Sequence, residues 1–249
     1  MITFKALGRY GRFANQLFQI AGVIGIAIRS GQQFAFPEWV NYDHLERFGS
    51  TEDIDIQKYF LNPLPRVADE QFIERFVGWG YTDVYLPEGN WDLQGHFQSD
   101  KYFMHCIDTV RHYLKMKDEY PDSEYVAVHF RGGDYEENIN AYHPRQTKDY
   151  YESAMANFPG SEFIVFSDDH EAAKKIFGNS ARYSDGNYIE DFKLMKSCKH
   201  FICANSSYSL MAAILASQEG KKVVCPKKWF GEIAGISGAD CYHQNSIVI

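Results

Sequence analysis

At 249 residues, with 45% apolar and 23% charged side chains, the chain has the composition of a folded globular protein with room for one large or two small domains. Its 25 Lys plus Arg against 33 Asp plus Glu leave a net charge of −8, which would repel a phosphate backbone or an anionic membrane surface, so nucleic acid is not an expected partner. The aromatic content of 16% serves core packing and could also line sugar sites.

The N-terminus, MITFKALGRYGRF, lacks the basic stretch, apolar core and small-residue cleavage site of a signal peptide. The longest apolar candidate, Leu17 to Ile28, carries Gln19 and is too short to span a bilayer, so no transmembrane segment is expected and a cytoplasmic location is the default. Five scattered cysteines, Cys106, Cys198, Cys203, Cys225 and Cys241, predict no disulfides, with most of them buried packing residues.

In chain order, Ile2 to Leu7 reads as a short strand, followed by the loop Gly8-Arg9-Tyr10-Gly11-Arg12. Phe13, Leu17, Ile20, Ile24 and Ile28 then recur at helical spacing, so the opening unit is strand, glycine-containing loop, helix. Helix-like segments follow around Glu70–Phe76 and Tyr102–Leu114. The charged run KMKDEYPDSE, Lys115 to Glu124, lacks apolar periodicity and contains Pro121, which predicts a division into residues 1–120 and 121–249. Beyond it, apolar runs Tyr125–Phe130, Glu162–Phe166, His200–Ala204 and Lys222–Cys225 alternate with helical patterns at Asp149–Phe158, His170–Phe177, Ile189–Cys198 and Ser206–Ser217. Such alternation predicts an α/β fold with a parallel sheet flanked by helices.

In a parallel α/β sheet, ligands bind beyond the carboxyl ends of the strands, so the chemistry-bearing residues should follow strands. The run YVAVHF leads directly into Arg131-Gly132-Gly133-Asp134-Tyr135. An Arg there can pair two phosphate oxygens, and glycines permit close backbone approach; the same pattern also suits an ordinary surface loop. The run HFICANSS ends in Asn205-Ser206-Ser207 and opens a helix, whose N-terminal N–H groups and two hydroxyls suit an anion, or form a helix cap alone. Gly8 to Arg12, with Asn15 and Gln16, is not a dinucleotide fingerprint but puts basic residues at a helix start.

These residues sit within longer runs. They are Gly11-Arg12-Phe13-Ala14-Asn15-Gln16-Leu17-Phe18-Gln19, Gly95-His96-Phe97-Gln98-Ser99-Asp100-Lys101-Tyr102-Phe103, His129-Phe130-Arg131-Gly132-Gly133-Asp134-Tyr135, Phe166-Ser167-Asp168-Asp169 and Ala204-Asn205-Ser206-Ser207-Tyr208-Ser209. In these runs and their order the chain resembles the α1,2-fucosyltransferases and, more distantly, the α1,6- and protein O-fucosyltransferases. The resemblance implies a GT-B-like architecture, with two Rossmann-like domains facing across a cleft. Residues 121–249 would bind a GDP-sugar donor and residues 1–120 would supply the glycan-acceptor side. It assigns Arg131 to the donor β-phosphate, His129 and Asp191 to the nucleotide, and Ser206, Ser207 and Tyr208 to the pyrophosphate end, counts Asn205 among the donor-binding residues, and has Arg12 and Asn15 reaching from the first domain. The chain departs from the family pattern at Gly132, where a second arginine is usual, at Leu210-Met211 in place of a Trp pair, and at Ala14 in place of glycine.

The implied reaction is inverting, metal-independent transfer of L-fucose from GDP-β-L-fucose to a glycan hydroxyl, O2 of a terminal galactose being the first choice, with no cofactor. A cation aimed at the departing diphosphate is the catalyst such a step needs, and Arg131 fits it. Asp134 is the candidate base, or else the residue that fixes the Arg131 loop. Asp168-Asp169 reads either as a metal-binding acidic pair or as a helix cap. Cys198, His200 and Cys203 read as core rather than zinc ligands, the fourth ligand being missing. A glycan-binding protein without transfer activity and a nucleotide-sugar hydrolase stay open as alternatives.

Overall fold

The computed structural model describes residues 1–42, 55–68, 70–78, 80–135, 141–179 and 181–249. The chain divides into two compact units, Met1–Asp118 and Glu119–Ile249, and the division lies inside the charged run Lys115 to Glu124. Each unit carries its own parallel sheet, as expected for an α/β chain of two sheet-bearing halves.

The first unit holds a three-stranded sheet of strands β1 (Ile2–Thr3), β2 (Ile73–Gly78) and β3 (Trp91–Gly95), ordered β1-β3-β2. Helix α1 (Phe13–Arg29) is buried along nearly its whole length, and helix α2 (Ile107–Tyr113) follows the connection after β3. The opening strand ends at Thr3 because the next residues fold back in turns, Leu7 N–H to Phe4 O and Arg9 N–H to Ala6 O. Gly8 is required there: its φ is +83°, and a Cβ would sit 1.7 Å from the Val40 carbonyl oxygen.

Glu70–Phe76 is not helical. Ile73 to Gly78 form β2, paired in parallel with Trp91 to Gly95. The helical spacing misled because Ile73 and Phe76 are 62% and 58% exposed, so their recurrence marks no buried face.

Two buried glutamines in α1 account for part of the motif at its start. Gln16 Nε2 donates to Gly11 O (2.8 Å) and Asn41 Oδ1 (3.0 Å), while its Oε1 accepts from Trp39 Nε1 (2.7 Å). Gln19 Nε2 donates to Tyr10 O (2.6 Å). An unpaired amide there would cost about 1–3 kcal/mol, so these bonds hold the basic loop in one shape.

The second unit is a six-stranded parallel sheet of β4 (Val126–Phe130), β5 (Phe163–Ser167), β6 (Arg182–Tyr183), β7 (His200–Ile202), β8 (Val223–Cys225) and β9 (Ile247–Val248), ordered β6-β5-β4-β7-β8-β9. Its helices are α3 (Lys148–Met155), α4 (His170–Phe177), α5 (Tyr188–Lys196) and α6 (Ser207–Leu215). All five β4 residues are buried, which is why the run is continuously apolar rather than alternating. Val126, Val128 and Phe130 pack with Tyr151 of α3 and with Ala173 and Phe177 of α4. Burial of a Phe130-sized side chain contributes about 1.5–3 kcal/mol. The alternate residue His129 meets α6 instead.

Strand order grows from β4 to β5 to β6 in one direction, then returns to β7 and continues to β8 in the other. The reversal lies between β4 and β7, and the crevice at the carboxyl ends of two such strands is where open α/β sheets bind ligands. Among the described residues, no helix is long and apolar enough to cross a membrane.

Candidate active site

Arg131 leaves β4 at this reversal. Its guanidinium pairs with Asp168, which follows β5, and with Asp134 Oδ1 at 2.6 Å. Burial works against the charge, but Asp168 and then Asp134 reverse the balance and raise the pKa above its ordinary value. Arg131 is therefore a permanent cation held from two sides, its carbon 5.4 Å from the centre of the Tyr135 ring.

Gly132 shows why the loop takes no side chain at that point. Its N–H donates to Asp168 Oδ1 at 2.8 Å, and a Cβ would come within 2.5 Å of Asp169 Cβ and 3.1 Å of the Phe130 ring. Arg145, from the segment before α3, donates Nη2 to Gly132 O at 3.3 Å and lies 4.0 Å from Asp169 Oδ2. Asp169 itself accepts from Ala172 N–H at 3.0 Å and so caps α4.

On the other side of the reversal, Ser206 caps α6 and accepts from Tyr208 N–H at 3.3 Å. Ser207 is the first helical residue. His129 Nδ1 lies 2.9 Å from Ser209 Oγ, and its ring centre is 5.4 Å from that of Tyr208. Burial pushes the His129 pKa down to about 4 against the opposing charge of Asp168, so the ring is neutral. The Tyr208 hydroxyl donates to Tyr188 O at 2.5 Å, and burial raises its pKa well above the ordinary value.

Asn205 behaves differently from a group presented to a ligand. It is 1% exposed, and its amide donates to Pro144 O (3.1 Å) and Trp229 O (2.8 Å), while Tyr135 OH donates to its main-chain oxygen (2.9 Å). It ties three segments together beneath the site. Asp191, in the first turn of α5, accepts from the Ser184 hydroxyl, and burial raises its pKa in spite of that bond.

Thus β4, β7 and the starts of α5 and α6 supply His129, Arg131, Asp134, Asp191, Asn205, Ser206, Ser207 and Tyr208 to one unit. Arg12 and Asn15 belong to the other, at the start of α1, where Asn15 Oδ1 accepts from Gln98 Nε2 at 2.7 Å. Asp168 was visible in sequence only as half of an acidic pair, and its contact with Arg131 needs the β4–β5 register, Phe130 opposite Ser167. Arg145 carried no sequence signal, since it arrives from a loop with no motif of its own.

Among the described residues, no three His, Cys, Asp or Glu side chains stand together as a metal site. All five cysteines are free. Cys203 lies beside Cys225, whose hydrogen bond and the surrounding burial raise its pKa well above the ordinary value, so it packs as an uncharged thiol.

The glycosyl transferase family 11 model matches residues 67–234 of the chain. The O-antigen biosynthesis glycosyltransferase WbnK of Escherichia coli is 36% identical over 146 residues, covering 54% of this chain and 48% of its own length. An α-1,2-colitosyltransferase of Escherichia coli is 31% identical over 188 residues, 66% of this chain and 62% of its own. The chain therefore spans less than two thirds of either curated relative. Among solved structures, the E. coli heptosyltransferase WaaC with ADP aligns with 99% of this chain and 92% of its own at 8% identity and a TM-score of 0.48. Thermosulfurimonas dismutans KpsC, a β-Kdo 2,7 transferase, aligns with 58% and 44% at 13% identity and a TM-score of 0.36.

Proposed function

The chain belongs to glycosyl transferase family 11, and from that premise we propose that it transfers L-fucose from GDP-β-L-fucose to a glycan hydroxyl, O2 of a terminal galactose, with inversion and without a metal ion. The observation that carries this reading is Arg131, a cation fixed by Asp168 and Asp134 where it leaves β4, at the sheet reversal whose other strand, β7, leads into α6. As the C1–O bond of the donor breaks, negative charge collects on the diphosphate, and a preorganised cation with helix N–H donors stabilises that charge.

The donor is assigned to Glu119–Ile249 and the acceptor side to Met1–Asp118. Neutral His129 and the carboxyl of Asp191 would face the nucleotide, and Ser206, Ser207 and Tyr208 its phosphates. Arg12 and Asn15 are proposed as further donor-binding residues. Asp134 holds Arg131 and is 52% exposed on its side chain, so it serves first to position the cation and secondarily to accept the proton that the acceptor hydroxyl releases. Asp168 is committed to Arg131 and Gly132, and Asp169 to α4, which leaves neither as the nucleophile a retaining mechanism requires.

One relative is named as a colitosyltransferase, which favours GDP-colitose as the second donor to test. Incubating the purified chain with GDP-fucose, GDP-colitose and a panel of terminal galactosides decides between them. The expected product is an α-fucoside at O2 by NMR. Colitosyl product alone reassigns the donor, a β-fucoside removes inversion, and free fucose without product makes the chain a hydrolase.

A further inference from the structure

Tyr135, four residues after Arg131, begins a cluster of rings that the proposed reaction has not used. Its ring stacks on His143 with centres 5.0 Å apart and planes 10° from parallel. His143 in turn meets Tyr142 at 4.7 Å and Phe230 at 5.7 Å, and Tyr142 meets Phe230 at 5.9 Å. Tyr142 is 43% exposed, unlike the core ring Phe130 at 0%. His143 and Phe230 are each only partly buried.

The two segments that supply these rings are more than eighty residues apart, and Asn205 joins them. Its amide donates to Pro144 O and Trp229 O, one residue from His143 and one from Phe230. The same residue's main-chain oxygen holds the Tyr135 hydroxyl. A buried side chain from the loop after β7 is thus spent on placing a half-open ring cluster next to Arg131.

We infer that Tyr142, His143 and Phe230 form the seat of the donor's sugar ring, and that they select a hexose whose carbon 6 is a methyl group. The inference rests on the GDP-sugar reading above. A sugar joined through one oxygen to a phosphate on Arg131 lies close to that cation; the Tyr135 ring is centred 5.4 Å from the Arg131 guanidinium carbon, and His143 of the seat stacks on that ring with centres 5.0 Å apart. Aromatic faces take up the C–H side of a sugar. A hydroxyl on carbon 6 pressed against the Phe230 face would lose water and gain no partner, whereas a methyl gains contact.

His143 fits a sugar better than a second phosphate. Burial lowers its pKa, Arg131 adds to the lowering and Asp134 opposes it, so the ring is neutral near pH 7. Its enclosed Nδ1 has no hydrogen-bond partner among the described residues, a position that tolerates a lone pair better than an N–H, which leaves the proton on Nε2 as a single donor.

The test compares GDP with GDP-fucose by calorimetry, and GDP-fucose with GDP-L-galactose in turnover, for the unaltered chain, Phe230→Ala, Tyr142→Ala and Phe230→Tyr. The alanine variants should bind GDP within about twofold of normal but lose about tenfold of the preference for GDP-fucose over GDP and of the discrimination against GDP-L-galactose. Phe230→Tyr, which keeps the ring but adds a hydroxyl, should retain the preference for GDP-fucose over GDP and lose part of the discrimination against GDP-L-galactose. Alanine variants that keep both ratios, or that weaken GDP equally, overturn the sugar seat. Failure of the unaltered chain to bind GDP-fucose overturns the donor reading instead, and is seen without any variant.

Discussion

Asp168 grips Arg131 twice over, once by an ion pair to the guanidinium and once through Oδ1, which accepts the Gly132 N–H at 2.8 Å in the very next residue. One carboxylate from the end of β5 therefore sets both the side chain and the backbone of the loop that leaves β4. The loop is a fixed electrostatic element before any ligand arrives, which is the condition under which a cation contributes most to a transition state.

Arg131→Ala should lower kcat by about 10²–10³, or about 3–4 kcal/mol, because the charge-assisted bonds strengthen as the diphosphate leaves. Arg131→Lys should recover little, since an ammonium cannot reproduce the planar two-oxygen grip. GDP should still bind both variants with modest weakening, as Ser206, Ser207 and the nucleotide contacts remain. Steady-state kinetics with GDP calorimetry checks this, and near-normal turnover by Arg131→Ala would place the donor elsewhere.

Gly132→Ala should destabilise the protein although an arginine is usual at that position in fucosyltransferases that the chain resembles. The added Cβ would meet Asp169 Cβ at 2.5 Å and the Phe130 ring at 3.1 Å, and overpacking of this kind costs about 1–3 kcal/mol. A fall in Tm of about 2–4 °C per kcal/mol is expected at this chain length. An unchanged Tm would show that the loop relaxes freely.

Turnover should survive complete chelation. Asp168 is held by Arg131 and Gly132, and Asp169 by the first turn of α4, so neither carboxylate is presented to a divalent ion. Activity abolished by EDTA and restored by magnesium or manganese would reverse this assignment.

Stability should fall as the pH drops from about 6.5 toward about 4. Within that window the unfolded chain protonates His129 at its ordinary pKa, while the folded chain, with the ring pushed down to about 4 by burial, does not. The contribution is complete above the unfolded value and is lost on acidification, on the order of 1–3 kcal/mol. Asp191, raised by burial, acts in the opposite sense, contributing at low pH and losing that contribution as the pH rises. Urea unfolding of the native chain and His129→Gln at pH 7 and pH 4.5 separates the two, because only the His129 component disappears in the variant.

Much of the second unit was legible in the amino-acid sequence. The runs YVAVHF and FIVF are buried on both faces in a parallel sheet, so continuous apolar character marks them without any need for alternation. His170–Phe177 matches its predicted bounds because Asp169 caps it, and a cap is a local signal. That Arg131, Ser206 and Ser207 follow strands was legible for a related reason: the apolar runs that precede them mark those strands.

Tertiary structure decided what those residues do together. Glu70–Phe76 became a strand because pairing with Trp91 to Gly95 satisfies its backbone, and local spacing carries no information about a partner some eighteen residues away. Asn205 became a tie between Pro144 and Trp229, and Arg145 came to rest on Gly132, through contacts that only folding creates. The amino-acid sequence by itself determined the fold class, the strand-end positions and the cation; which carboxylate holds that cation, and which rings surround it, was decided by strand order and loop packing. The physical reason is that helix caps and buried runs are satisfied by near neighbours in the chain, whereas a buried charge or amide must find its partner in space.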